Sequence, residues 1–263
     1  MKNITFIVLF ISCVISAQNK KEYKHSLKGI KTVQIESETS IIVTSTETSE
    51  LTLIDNAFSH KEPPENLKRE KEKTKGLTAI FPGGKDNTNG LGFSITKEGS
   101  ILIIRDLKAH FQRHGIQIKL PKIMNIQVDS GNLGTIQIEG FSSEVEAETN
   151  VGSINMKNVK GPITAHTNVG AITIDFVSVS QVSPITISTN VSEIDVSIPA
   201  NTNANLELKT KGTVYTNFDL QAPPKNGLKN VGGAKTITDN INGGGVKITL
   251  RSNMGNIYLR KKE

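Results

Sequence analysis

Cysteine is nearly missing from this 263-residue chain, with Cys13 the only one. If the N-terminal segment that carries it is removed, no thiol is left, which excludes disulfides and cysteine-based redox or metal chemistry. Tryptophan is absent and aromatic residues make up 5% of the chain, which points to a thin core of Ile, Val and Leu. Beyond position 20 no apolar run reaches the ~18–20 residues that a membrane-spanning helix needs. Charge of one sign is also lacking. Without residues 1–17 the chain has 30 basic and 25 acidic side chains, a net charge of +5, and they are interspersed. That balance allows weak attraction to anionic envelope polymers such as lipopolysaccharide or teichoic acid. It lacks the clustered basic footprint of a nucleic-acid binder.

What the chain has is a repeated pentad. Asn132-Leu133-Gly134-Thr135-Ile136 returns as Asn150-Val151-Gly152-Ser153-Ile154 and Asn168-Val169-Gly170-Ala171-Ile172. Asn190-Val191-Ser192-Glu193-Ile194 replaces the glycine, and Asn253-Met254-Gly255-Asn256-Ile257 comes near the end. The first three intervals are 18, 18 and 22 residues, a period that signals stacked repeats. Between pentads apolar and polar residues alternate, which is a strand pattern. Ile136, Ile138, Val145, Ala147, Ile154, Met156, Ile172 and Ile174 are expected to point inward, and Gln137, Glu139, Glu146 and Thr173 outward. Each repeat holds about two short strands, bent at the pentad and again near Gly161-Pro162 or Ser183-Pro184. Asn and Gly enter positive φ cheaply, so Asn132, Gly134, Asn150, Gly152, Asn168, Gly170, Asn190, Asn253 and Gly255 are assigned as structural bends.

A single repeat cannot pair its own backbone or cover its inner face. Stacking does both. The expected fold is therefore all-β, a single-domain parallel β-helix or β-solenoid of 18–22-residue coils. It is read as right-handed from the chirality of parallel crossovers. The competing architecture is an antiparallel sandwich or barrel with hairpins at the pentads. Two-residue hairpins prefer Asn-Gly directly, whereas here an apolar residue intervenes.

The start of the chain is different. Lys2, the apolar run from Ile4 to Val14, and Ile15-Ser16-Ala17-Gln18 have the layout of a secretory signal peptide cleaved after Ala17 or Gln18. Leu9-Phe10-Ile11-Ser12-Cys13 also loosely resembles a lipobox, which makes Cys13 a candidate lipidation site. Residues 18–29 read as a polar tether, and the solenoid as 30–263, with insertions at about 55–92 and 220–245. In the first insertion, Lys61 to Lys75 carries six positive and four negative side chains, a projecting loop or a solvated helix with i,i+4 charge pairs. Leu220 to Gly245, with Pro223-Pro224 and a Gly243 to Gly245 run, reads as the second. The alternating Val33, Ile35, Ile41, Val43, Leu51 and Leu53 are expected to form the first, atypical coils at the end of the stack. His110 and His114 would share a helix face and could hold a metal if 106–114 were helical; Gly115 and its alternating neighbours favour strand and turn.

Ile116 to Pro121, the succession of Gly-x-Ile coils with Thr-Asn-Val-Gly bends, and the last Ser-Asn-Met-Gly-Asn-Ile strand resemble the bacterial "putative adhesin" β-helix domains over roughly residues 30–260. The resemblance implies an envelope-associated, adhesin-like protein in the periplasm, on the outer membrane or at the cell surface. It brings no catalytic residue, cofactor or metal. The reading that follows is a non-catalytic exported solenoid that binds an envelope glycan or protein, or acts as a scaffold. The alternatives are a polysaccharide lyase or glycosidase, with Glu139, Asp175 and Asp195 as the acids to align on one face, and an envelope sensor working through a protein partner.

Overall fold

The alternation of apolar and polar residues is realised as strand. The computed structural model describes residues 22–55, 69, 72–77, 80–108, 116–221 and 235–263, and every statement of structure below concerns these. The signal-peptide layout, Cys13, most of the charged run 61–75 and the His110/His114 pair lie outside them.

The N-terminal region forms β1 (Glu22–Ser26), β2 (Thr32–Glu36), β3 (Ile41–Thr46), β4 (Glu50–Asp55), β5 (Phe93–Glu98), β6 (Ile101–Asp106) and β7 (Ile116–Pro121). The repeats proper supply β8 (Asn125–Asp129), β9 (Ile136–Glu139), β10 (Val145–Val151), β11 (Ile154–Val159), β12 (Ile163–Val169), β13 (Ile172–Phe176), β14 (Ile185–Val191) and β15 (Ile194–Pro199). The chain continues with β16 (Ala204–Thr210), β17 (Val214–Thr216), β18 (Lys235–Ile241), β19 (Val246–Ser252) and β20 (Ile257–Lys262).

These strands make two ten-stranded mixed sheets, neither closed into a barrel. One runs β1-β4-β7-β3-β9-β11-β13-β15-β20-β17 and the other β18-β16-β19-β14-β12-β10-β8-β2-β6-β5. From β6 to β17 the chain places alternate strands in alternate sheets, so each consecutive pair forms one rung. Equivalent residues of successive rungs are parallel partners: Ile136, Ile154, Ile172, Ile194 and Ile257 form one file, and all five are fully buried. The other inward assignments hold as well. Ile138, Val145, Ala147, Met156, Ile163, Ala165, Ile174, Ile187, Val196, Leu206 and Leu208 belong to one core cluster that spans both sheets. Extracting these aliphatic faces from water is what holds the two sheets together.

Chain order and spatial order diverge at both ends. The rung β2–β3, expected at the extremity, lies one position in, between β6–β7 and β8–β9. Likewise β19–β20 sits between β14–β15 and β16–β17. A local contact accompanies the C-terminal inversion. Asn253 carries the amide that continues the row from Asn190, to which its Nδ2 donates at 2.6 Å. The competing segment has Lys211 at that position and goes outermost.

Two stretches outside the repeats proper are strand as well. Residues 22–26, read as a stretch of tether, form β1, an edge strand antiparallel to β4. Its Tyr23 is half-buried against the core, which is the burial a polar-looking segment conceals. The 220–245 insertion contains β18, antiparallel to β16, which caps the second sheet. Antiparallel strands therefore cover both outermost positions of this sheet, β5 at one end and β18 at the other. Among the described residues no helix is long and apolar enough to cross a membrane.

Candidate functional site

The repeated pentad forms the corner at which each rung passes from the second sheet to the first. Three side-chain files run along it. Innermost is a row of buried hydroxyls. Thr149 Oγ1 donates to the Gly134 carbonyl at 3.0 Å, Thr167 Oγ1 to Gly152 at 3.1 Å and Thr189 Oγ1 to Gly170 at 3.1 Å. Ser130 Oγ donates to the Thr39 carbonyl, Ser252 Oγ to Ser192 and Thr210 Oγ1 to Gly255. Each hydroxyl thus satisfies a carbonyl on the neighbouring rung, where a bare acceptor would be costly.

Next outward are the asparagines. Asn150 Nδ2 donates to Asn132 Oδ1 at 3.4 Å, Asn168 to Asn150 at 2.8 Å, Asn190 to Asn168 at 2.6 Å and Asn253 to Asn190 at 2.6 Å. All five asparagines of the pentads are brought into one continuous amide row. Beside it stand Leu133, Val151, Val169, Val191 and Met254, which share the register of the asparagines and are between 40% and 69% exposed.

The glycines of the pentads answer to space and not to conformational freedom. None of Gly134, Gly152, Gly170 and Gly255 has positive φ, and neither does any asparagine of the five corners. What requires glycine is the approach of the next rung. A β-carbon at Gly152 would lie 2.0 Å from the Gly134 carbonyl oxygen, at Gly170 1.9 Å from that of Gly152, and at Gly255 1.7 Å from that of Ser192.

The carboxylates singled out for catalysis share the outward face of the first sheet but are not neighbours on it. Glu139, Lys157 and Asp175 follow one another in one row of the first sheet, so a lysine separates the acids. Asp195 belongs to the next row, opposite Thr173. Asp175 is paired with Lys262, and Asp195 is held by Arg260 through two hydrogen bonds of 2.7 Å; Asp195 in turn raises the Arg260 pKa. Tyr258 and Tyr215 stack beside this pair with centroids 5.2 Å apart. An open groove of about 440 Å³ lies on the second sheet, lined by Asn205, Glu207, Thr238, Asp239, Asn240 and Lys247. The Lys247 ammonium holds Glu207 below the usual carboxylate range, and the backbone N–H groups of Gln221 and Asn240 do the same for Asp239. Among the described residues no three His, Asp or Glu side chains are arranged to hold a metal ion.

Sequence reasoning missed the hydroxyl file and the exposed apolar file. Both had a signal, a Ser or Thr just before the Asn and an aliphatic residue just after it in repeat after repeat.

The fold is similar to two solved structures. One is described as a "putative cell adhesion protein" from Clostridium sporogenes, with 12% identity, a TM-score of 0.46, and coverage of 92% of this chain and 100% of that one. The other is a "putative adhesin" from Bacteroides fragilis, with 11% identity, a TM-score of 0.39, and coverage of 90% and 95%. No protein-family model and no curated protein sequence matches the chain.

Proposed function

We propose that this chain is an exported, non-catalytic β-solenoid that serves the cell envelope as a rigid binding or spacing element, in the manner of an adhesin. The observation that carries this reading is the in-register file of five equivalent corners from Asn132 to Asn253. It makes a repetitive wall, on which Lys157 stands between Glu139 and Asp175. The signal-peptide layout of residues 1–17 supports export, with lipidation at Cys13 as a variant of it. The sequence resemblance to adhesin-type β-helix domains supports the envelope address. An unbroken rise of stacked rungs is the natural build for an extended contact surface. The partner is an envelope glycan or protein.

The test is fractionation of a bacterial host expressing the full chain, with N-terminal sequencing of the exported form, followed by incubation with isolated envelope polysaccharides. Recovery outside the cytoplasm, cleavage near Ala17, and binding without release of sugar products are the expected results. Cytoplasmic retention of an uncleaved chain, or turnover lost on Asp175→Asn, would overturn the reading.

A further inference from the structure

The five exposed aliphatic side chains at the corners are not explained by packing. Val151, Val169 and Val191 are partners in parallel register, flanked by Leu133 and Met254, and they face water. Nothing in the core requires them to be apolar, because the inward positions of the same corners are the buried hydroxyls of Thr149, Thr167 and Thr189. Beside them run the amides. A primary amide has two N–H donors and two acceptor lone pairs, and within the row each interior asparagine spends one of each on its neighbours. One donor and one acceptor per rung remain available at the surface, recurring at the strand spacing of about 4.8 Å.

We infer that this ledge, Leu133 to Met254 with the adjoining asparagines, binds a neutral, linear glycan lying along the stack. The inference rests on the reading of the chain as an envelope-binding solenoid and assigns its binding surface and ligand class. Three features select the occupant. The rung spacing is close to the length of one sugar unit in an extended chain, so an apolar sugar face can rest on each aliphatic side chain while its hydroxyls meet the amide beside it. Charge selects against an anionic polymer. The two files are uncharged, Glu38 stands at one end accepting from Asn132 N, and Glu193 follows Ser192 in the fourth corner. Width selects against a protein. A stable protein interface buries about 800 Å² per partner over some 20–30 residues, whereas this stripe is one residue wide and five long.

An extended peptide is disfavoured too. The backbone groups at the corner are already paired between rungs, Asn150 N to Gly131 O at 2.8 Å, Val151 N to Asn132 O at 3.0 Å and Gly152 N to Val169 O at 2.9 Å. At this corner, among the described residues, no free strand edge is offered for β-addition; the sheet edges β1, β17, β5 and β18 lie elsewhere.

The experiment is calorimetric titration of the full chain with neutral oligosaccharide ladders of two to six units (cello-, chito-, xylo- and manno-oligosaccharides), with oligogalacturonate and heparin as anionic probes. Affinity for at least one neutral series is expected to rise with length up to about five units, matching the five rungs at roughly 4.8 Å each, and to change little with salt. The double variant V169S/V191S should weaken binding at least ten-fold with its melting curve unchanged. Val169→Lys, which keeps the aliphatic stem and adds a charge, should do the same, and Thr164→Ala with Thr186→Ala on the flat sheet face should not. Binding of a neutral glycan that survives both ledge variants would overturn the ledge and leave the envelope-binding reading standing. Selective binding of the anionic probes, or capture of a protein through the ledge instead, would overturn the ligand class. Failure to bind any glycan or envelope fraction would overturn both.

Discussion

At Gly152 the Gly134 carbonyl oxygen of the neighbouring rung comes so close that a β-carbon would sit 2.0 Å away. That partner is backbone, held in the corner by the bond from Gly134 N to Val151 O. Gly152→Ala is therefore expected to force a backbone shift between rungs and to lose about 1–3 kcal/mol of stability in denaturant titration, the range typical of overpacking a well-filled interior. Gly243 is the contrast. Nothing lies near its missing β-carbon, but its φ is +82°, so Gly243→Ala should cost only about 1–2 kcal/mol from left-handed backbone. The buried hydroxyls act through the acceptor they cover. Thr167→Val keeps the shape but leaves the Gly152 carbonyl without its hydroxyl partner, for an expected loss of about 1–3 kcal/mol in the same measurement. The corner residues were legible in the sequence because identity recurred at a fixed interval. Their physical role was only half legible: close approach between rungs is a property of the stack, and no single pentad contains the carbonyl that excludes a side chain from the next.

Among the elements, β20 is held on both sides. It pairs with β15 and β17, buries Ile257 and Leu259, and sets Arg260 and Lys262 on Asp195 and Asp175. The buried residues are expected to dominate. Ile257→Ala should cost about 2–5 kcal/mol, whereas Arg260→Ala, which removes a solvent-exposed ion pair, should leave the melting temperature nearly unchanged. The edge strand β18 is expected to respond to acid. Asp239 accepts from the backbone N–H groups of Gln221 and Asn240, which favour its ionised form and lower its pKa. Its support for β18 is complete above the unfolded aspartate value of about 3.9 and is lost as pH falls through the lower folded value. Hydrogen exchange followed through that window should show β18 amides opening in acid, and Asp239→Asn, with no proton to gain, should lack the step. The places of β18 and β1 were not legible in local pattern. Each is an edge strand with one side to solvent, and its partner lies outside its own stretch, β16 for one and β4 for the other.

For the whole molecule, the all-β class, the inward residues and the rung-to-rung register follow from alternation and period alone, since a shift of one residue would turn Ile136, Ile154 and Ile172 outward. The order of the rungs does not follow. Sequence proximity argued for β16–β17 directly after β14–β15, while the amide of Asn253 and the glycine at 255 fit that place better than Lys211 and Gly212 do. One consequence concerns load. Because the last strand is flanked on both sides, tension on the C-terminus meets the ladders to β15 and β17 at once, with Asn217 adding two bonds to Lys261. Releasing β20 therefore means breaking its ladder to β15, the three-residue ladder to β17 and the Asn217 bonds together, so more load is expected to be needed to peel it than to peel a strand paired on one side, such as β5 or β18.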